Sequence, residues 1–298
     1  MATPDQELDP GQQTPPTCFR HPGRETWVSC VRCGRHACPD CLREAAVGQQ
    51  CVECVRGGRS GSRQARTVFG GRPTASTTVT WAIMAVNVLV FLAEIAKPRL
   101  LYDLAMLGTS GYAPGVGVET GVAQGAWYRL VTSAFTAPGT SLGGLGLLDL
   151  ALNMWCLYII GPQLERLFGP VRYLAIYLVS AAGGSVLYYY LAPVNQPAAG
   201  ASGAIFGLFA AWFVASKRLR VDSSGIVILI VVNLVFSFIW SVIAWQDHVG
   251  GLIAGALISA AYAYAPRKNR VLIQVAATVG IIVIIAVAIV IRTGQLTT

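Results

Sequence analysis

Hydrophobic and polar positions divide this chain unevenly. Residues 1–73 are polar, with many Arg, Pro and Gly, and from Thr77 onward apolar runs dominate. Seven runs stand out, at about 78–96, 147–163, 171–192, 201–216, 224–243, 247–265 and 271–291. Each approaches the roughly 20 residues that a tilted helix needs to cross a hydrocarbon core. The pattern predicts an all-α polytopic membrane protein carrying a small polar head. Some runs are short or rich in glycine, which leaves their ends soft.

Composition agrees with that division. Of 298 residues, 54% are hydrophobic and 12% charged, against roughly 25% charged in an ordinary soluble domain. The N-terminus has no apolar core of the kind a cleavable signal peptide carries, so the first span is expected to act as the insertion signal. Basic residues mark alternate loops: Arg63, Arg66 and Arg72; Arg166 and Arg172; Lys217, Arg218 and Arg220; Arg267, Lys268 and Arg270. The intervening loops are nearly free of basic charge, with Lys97, Arg99 and Arg129 as a mild exception. The positive-inside rule then places the N-terminus in the cytoplasm and the C-terminus outside. This asymmetry accounts for the net charge of +8 and leaves little reason to expect a nucleic-acid partner.

Seven of the eight cysteines fall between residues 18 and 54. They read as Cys30-x-x-Cys33, Cys38-x-x-Cys41 and Cys51-x-x-Cys54, with a mixed pair Cys18-x-x-His21. Two-residue spacing lets a tight turn present both side chains to one tetrahedral ion, and eight ligands suffice for two closed structural zinc sites. A reducing cytoplasm favours metal over disulfides. The spacing resembles cross-braced B-box-like zinc modules, which implies that Cys18, His21, Cys38 and Cys41 share one ion. Cys30, Cys33, Cys51 and Cys54 would share the other. His36 reads as a solvated loop histidine, though it could replace a ligand. A domain of this size cannot build a sufficient core, so metal would supply much of its folding energy. Four protein ligands leave no open position, so this zinc is not expected in catalysis. Docking of a cytoplasmic protein partner and simple stabilisation are both open roles. Residues 57–76, rich in Gly, Arg and Ser, read as a flexible linker whose charges could rest on anionic lipid headgroups.

Chemistry is concentrated at two span starts. Ser202 lies in Gly200-Ala201-Ser202-Gly203, where the flanking glycines allow close backbone approach and the unpaired first-turn amides could donate to an oxyanion. His248 is the only histidine beyond residue 36, and an intramembrane ionisable residue is a functional-site hypothesis by default. Gly251 and Gly255 follow His248 on one helical face, and Gly203 and Gly207 form a matching pair. Such small-xxx-small pairs let two helices touch backbone to backbone, which could bring a serine hydroxyl to an imidazole nitrogen. Asp247 points about 100° away from its neighbour His248 and reads as a headgroup-level charge, so a two-residue dyad is the economical reading. Cys156 reads as a small buried apolar residue, and the seventh span as a lipid-facing helix without chemistry.

These residues resemble the rhomboid family of intramembrane serine proteases, over about residues 78–265. The motifs are Gly200-Ala201-Ser202-Gly203, His248-x-x-Gly251-x-x-x-Gly255, Trp127-Tyr128-Arg129, Asn153 in Leu152-Asn153-Met154, and Gly161-x-x-x-Glu165. The resemblance implies Ser202 as nucleophile, His248 as general base and Asn153 as oxyanion donor. Trp127 and Arg129 would structure a loop, and Glu165 would anchor a helix end. The implied organisation is a zinc-binding domain at 15–56, a basic linker at 57–76 and a six-helix protease core at 77–266. A seventh helix with a short external tail occupies 267–298. Single-span membrane proteins would be the substrates, with small side chains at the scissile bond and helix five as a lateral gate. Phe236, Phe238 and Trp240 of that helix could equally be lipid anchors.

One departure weighs against full activity. The family usually has histidine four residues before the asparagine, and Asp149 stands there. An ionised carboxylate would oppose a developing oxyanion, unless burial keeps Asp149 a neutral donor or its side chain turns to the aqueous cavity. Losing one oxyanion donor costs roughly 10²–10³ in kcat, so reduced activity is expected. The alternative is a catalytically weak or inactive relative that binds membrane helices. A transporter would need polar groups through the membrane, and the fourth span is apolar from Ser202 to Ser216.

Overall fold

In the computed structural model, residues 14–61, 65–113, 116–118, 120–137, 145–240 and 243–298 are described. The chain divides into two compact units, 1–64 and 65–298. In the first, β1 (Thr17–Cys18) pairs with β2 (His21–Glu25), β3 (Leu42–Glu44) pairs with β4 (Gln49–Cys51), and helix α1 (Val52–Gly61) follows. Hairpins this short bury too little apolar surface to be stable by themselves. Their buried cluster is Ala37 and Leu42 with Cys18, Cys30, Cys38, Cys41 and Cys51. Five of those seven are thiols, so the core of this unit is largely made of potential metal ligands.

The second unit begins within 57–76, the stretch that reads in the sequence as a flexible linker. The stretch is helical to Gly61, and residues 62–64 lie outside the described residues. At 67–71 it closes a turn, with Gly71 N donating to Thr67 Oγ1 at 2.8 Å. Phe69 is buried, with its ring centroid 4.6 Å from that of Phe168. One large apolar side chain is enough to seat the turn, and a composition dominated by Gly and Arg hides it.

All seven apolar runs are helical. They are α2 (Thr78–Ala96), α5 (Leu145–Phe168), α6 (Pro170–Leu191), α7 (Ser202–Leu219), α8 (Ser224–Ile239), α9 (Trp245–Tyr264) and α10 (Arg270–Thr297). Between α2 and α5 lie α3 (Arg99–Leu104), a hairpin of β5 (Gly111–Ala113) with β6 (Val116–Val118), and the short α4 (Arg129–Thr132). On α2 the buried residues Thr80, Ile83, Asn87, Phe91 and Glu94 recur every three or four positions. That is one stripe of a 3.6-residue helix. Gly169, at φ +83°, makes the corner between α5 and α6, a conformation that L side chains avoid.

Thr78–Ala96, Gly146–Phe168, Pro170–Leu191 and Arg267–Thr297 are long and apolar enough to cross a membrane, and Ser224–Ile239 is apolar but shorter. In the fifth run, about 224–243, the helix ends at Ile239, and residues 241–242 lie outside the described residues. α7 and α9 carry polar ends, Lys217 and Arg218 on α7 and Gln246, Asp247 and His248 on α9, which lower their apolarity. Eleven α7 residues are buried, against two on α8 and one on α10. α7 is thus an interior helix, packed mainly against α9 and α6. A Cβ at Gly251 would strike the Gly203 backbone, and one at Gly255 the Gly207 backbone. A Cβ at Gly250 would strike the Gly183 carbonyl of α6, so α9 meets two helices through glycine.

Candidate active site

Ser202 opens α7 directly after an unusual backbone position. Gly200 has φ +138°, and its amide donates to Ser133 O at 3.1 Å. A Cβ on Gly200 would lie 3.6 Å from both Ser202 Oγ and Asp149 Oδ2. Glycine here therefore holds the turn and keeps the space beside the hydroxyl open.

The glycine contact between α7 and α9 brings Ser202 and His248 together. Nε2 of His248 lies 2.8 Å from Ser202 Oγ, and Nδ1 lies 2.7 Å from Ser237 Oγ on α8. Ser237 is buried, and its hydroxyl donates to Asn233 O at 2.7 Å. A hydroxyl has one hydrogen. With that hydrogen committed to Asn233, Ser237 can only accept from the imidazole. The proton then sits on Nδ1, and the Nε2 lone pair faces Ser202. The Phe206 ring stacks on the imidazole, centroids 4.2 Å apart and planes 13° apart.

Ser237 and Phe206 are absent from the sequence reading. Phe206 follows Ser202 by four residues and so shares its helical face, a signal that was available. Ser237 sits in a run of Val, Ile, Leu and Phe with no spacing relation to His248. Asp247 has its carboxylate wedged between Gly184 of α6 and Gly203 of α7. The two glycines leave a notch that accepts a carboxylate beside the α7 start.

Asp149 and Asn153 lie one turn apart on α5. Asp149 Oδ2 is buried and has no hydrogen-bond partner among the described residues; Asn153 is buried. Glu165 is fully buried and accepts from Val79 N at 3.1 Å, Thr80 N at 2.8 Å and Thr80 Oγ1 at 2.8 Å. It caps the open amides at the start of α2 with charge of the favourable sign. Arg129 is buried, and one of its Nη1 hydrogens reaches each of the Tyr102 and Ala105 carbonyls, at 2.6 and 2.8 Å. It thereby ties α4 to the α3 end, while Trp127 remains exposed. Cys156 is half-buried and packs against the main core. α10 is mostly exposed, yet its Gln274 is buried and donates to Phe69 O and Tyr262 O at 3.0 and 2.9 Å.

In the first unit, Cys18, His21, Cys38 and Cys41 form one group that could hold a metal ion, and Cys30, Cys33, Cys51 and Cys54 form another. His36 belongs to neither. Within each group the ligand atoms lie within 4.8 Å of one another. Tetrahedral zinc with Zn–S bonds of about 2.3 Å separates its sulfurs by about 3.8 Å. Cys33 and Cys51 Sγ are 3.8 Å apart, and His21 Nδ1 is 3.4 Å from Cys38 and Cys41 Sγ. Burial, with the Cys38 and Cys18 thiols adding to it, pushes the Cys41 thiol up to about 11. Burial also raises Cys18, but backbone amides of Cys38, Arg20 and His21 outweigh it and bring that thiol to about 6.

These features describe a multi-pass helical membrane protein whose serine hydroxyl is hydrogen-bonded to a histidine. Residues 124–265 match the model of the Rhomboid domain. Rhomboid protease GluP of Bacillus subtilis (strain 168) is 33% identical over 66% of this chain and 36% of its own length. Putative rhomboid protease YdcA of the same organism is 34% identical over 48% of this chain and 71% of its own. Rhomboid protease AarA of Providencia stuartii is 30% identical over 65% and 75%. The chain belongs to the rhomboid family. It spans about a third of the length of GluP and about seven-tenths of YdcA.

Proposed function

We propose that this protein is an intramembrane serine endopeptidase that cleaves single-span membrane proteins near the external face of the bacterial plasma membrane. The observation that carries the reading is the buried relay in which His248 bridges Ser202 at 2.8 Å and Ser237 at 2.7 Å. A substrate helix, unwound at its outer end, presents a peptide carbonyl to Ser202. As Oγ attacks the carbonyl carbon, Nε2 takes its proton. The negative charge moves to the carbonyl oxygen, where the Ser202 amide and Asn153 donate to it. His248 then protonates the leaving amine, and the C–N bond breaks. Water from the external side, activated by the same nitrogen, releases the acyl group. Gly200 leaves room for a substrate backbone, which favours small residues at the scissile bond.

Asp149 modulates the oxyanion region. Its Oδ2, near Ser202 and without a partner among the described residues, would be costly as a buried ionised oxygen. As a neutral acid it can donate to the oxyanion; as a carboxylate it slows the reaction. The N-terminal unit is a B-box-like module holding two structural zinc ions outside the chemistry, with the N-terminus cytoplasmic and the C-terminus external. The test is cleavage of a model single-span substrate by wild type, Ser202→Ala and His248→Ala. Product from wild type and none from either variant is expected. Binding without cleavage by all three would favour a helix-binding relative.

A further inference from the structure

At the ends of α7 and α9 farthest along the chain from Ser202 and His248, the bundle carries a hollow of about 440 Å³. A neighbouring hollow of about 580 Å³ shares Arg267 and Arg270 with it. Together they gather Arg66, Arg218, Arg267, Lys268 and Arg270, while Phe69 and Leu219 supply apolar wall. Among the described residues the ion pairs are Arg24–Asp40, Arg35–Glu53 and Arg99–Asp103, and none involves these five cations.

The arginines are oriented by neutral groups. Arg218 Nε donates to Ala263 O at 3.3 Å, and its guanidinium lies over Tyr264. Arg270 Nη1 donates to Val68 O at 3.2 Å, while its buried Nε has no partner among the described residues. Arg267, Arg218 and Arg66 all act on Arg270 as like charges. Positive-inside loops explain cations at this end of the bundle. They do not explain cations drawn around a concavity with a donor left unpaired. An anion in the hollow would relieve the repulsion and accept from Arg270, and basic hollows between membrane helices suit phosphate headgroups.

We propose that this hollow binds the phosphate of an anionic phospholipid. The apolar wall favours a lipid, with its acyl chains beside the helices, over free phosphate. Native mass spectrometry of the full-length protein, delipidated in detergent, tests the assignment with phosphatidylglycerol, phosphatidylcholine and inorganic phosphate. Phosphatidylglycerol should bind, phosphatidylcholine should not, and inorganic phosphate should fail to displace the lipid. Each cation removed should weaken binding about fivefold, so Arg267→Gln with Arg270→Gln should weaken it about 25-fold. The paired Arg→Lys variant should retain most of it. Arg267 is exposed, and Arg267→Gln alone should show the single fivefold step if the double variant misfolds. Unchanged affinity in the Gln variants, equal binding of phosphatidylcholine, or displacement by inorganic phosphate would each overturn the proposal. The readout involves no proteolysis, so it stands or falls separately from the activity.

Discussion

Replacing Ser237 with alanine removes a single oxygen and leaves Nδ1–H of His248 without an acceptor. The position is buried, so no water takes the oxygen's place. An unpaired buried donor costs about 1–3 kcal/mol. The imidazole can escape that cost by moving its proton to Nε2, where it meets Ser202 with a hydrogen instead of a lone pair. The productive tautomer then becomes the disfavoured one by a similar amount. At about 1.4 kcal/mol per decade of rate, kcat should fall about 5- to 150-fold. KM should hold, because a buried residue behind the histidine does not touch substrate. Stacking by Phe206 keeps the ring plane in place, so the loss belongs to the proton's location. The assay is cleavage of a single-span substrate, paired with the rate of Ser202 labelling by a fluorophosphonate. Both should slow together, and Ser237→Thr, which keeps the hydroxyl, should recover most of the rate. Ser237→Ala within twofold of wild type in both assays would refute the relay.

Asp149→His should raise turnover about tenfold or more by restoring a neutral or cationic donor beside the oxyanion; an unchanged or lower rate in the cleavage assay counts against that position's role. Gly255→Val should destabilise the protein by about 1–3 kcal/mol or more, since its side chain meets the Gly207 backbone. Gly280→Val, with nothing within 4 Å of its Cβ, should leave Tm unchanged, and equal melting of the two variants would contradict the packing. Cys51→Ser should lower bound zinc from about two ions to about one per chain and chelation should expose both sites, as measured by metal analysis; retention of both ions would rule out the second cluster.

Much of the architecture is written in local chemistry. Long apolar runs leave the backbone few options other than helix, and all seven became helices because that preference needs no long-range partner. The Gly203/Gly207 and Gly251/Gly255 spacing made a close approach of α7 and α9 legible, since two helices can touch only where both lack side chains. Cysteine spacing likewise marked the two Cys/His groups. Tertiary structure alone decided what lies across from each face. It brought Ser237 from α8 to the imidazole, wedged Asp247 between two glycines, sank Phe69 into a core its neighbours gave no hint of, and turned scattered loop arginines into a cationic hollow. Each of these is a meeting of residues on different segments of the fold. Periodicity reports which way a side chain points, and only packing reports what it finds there.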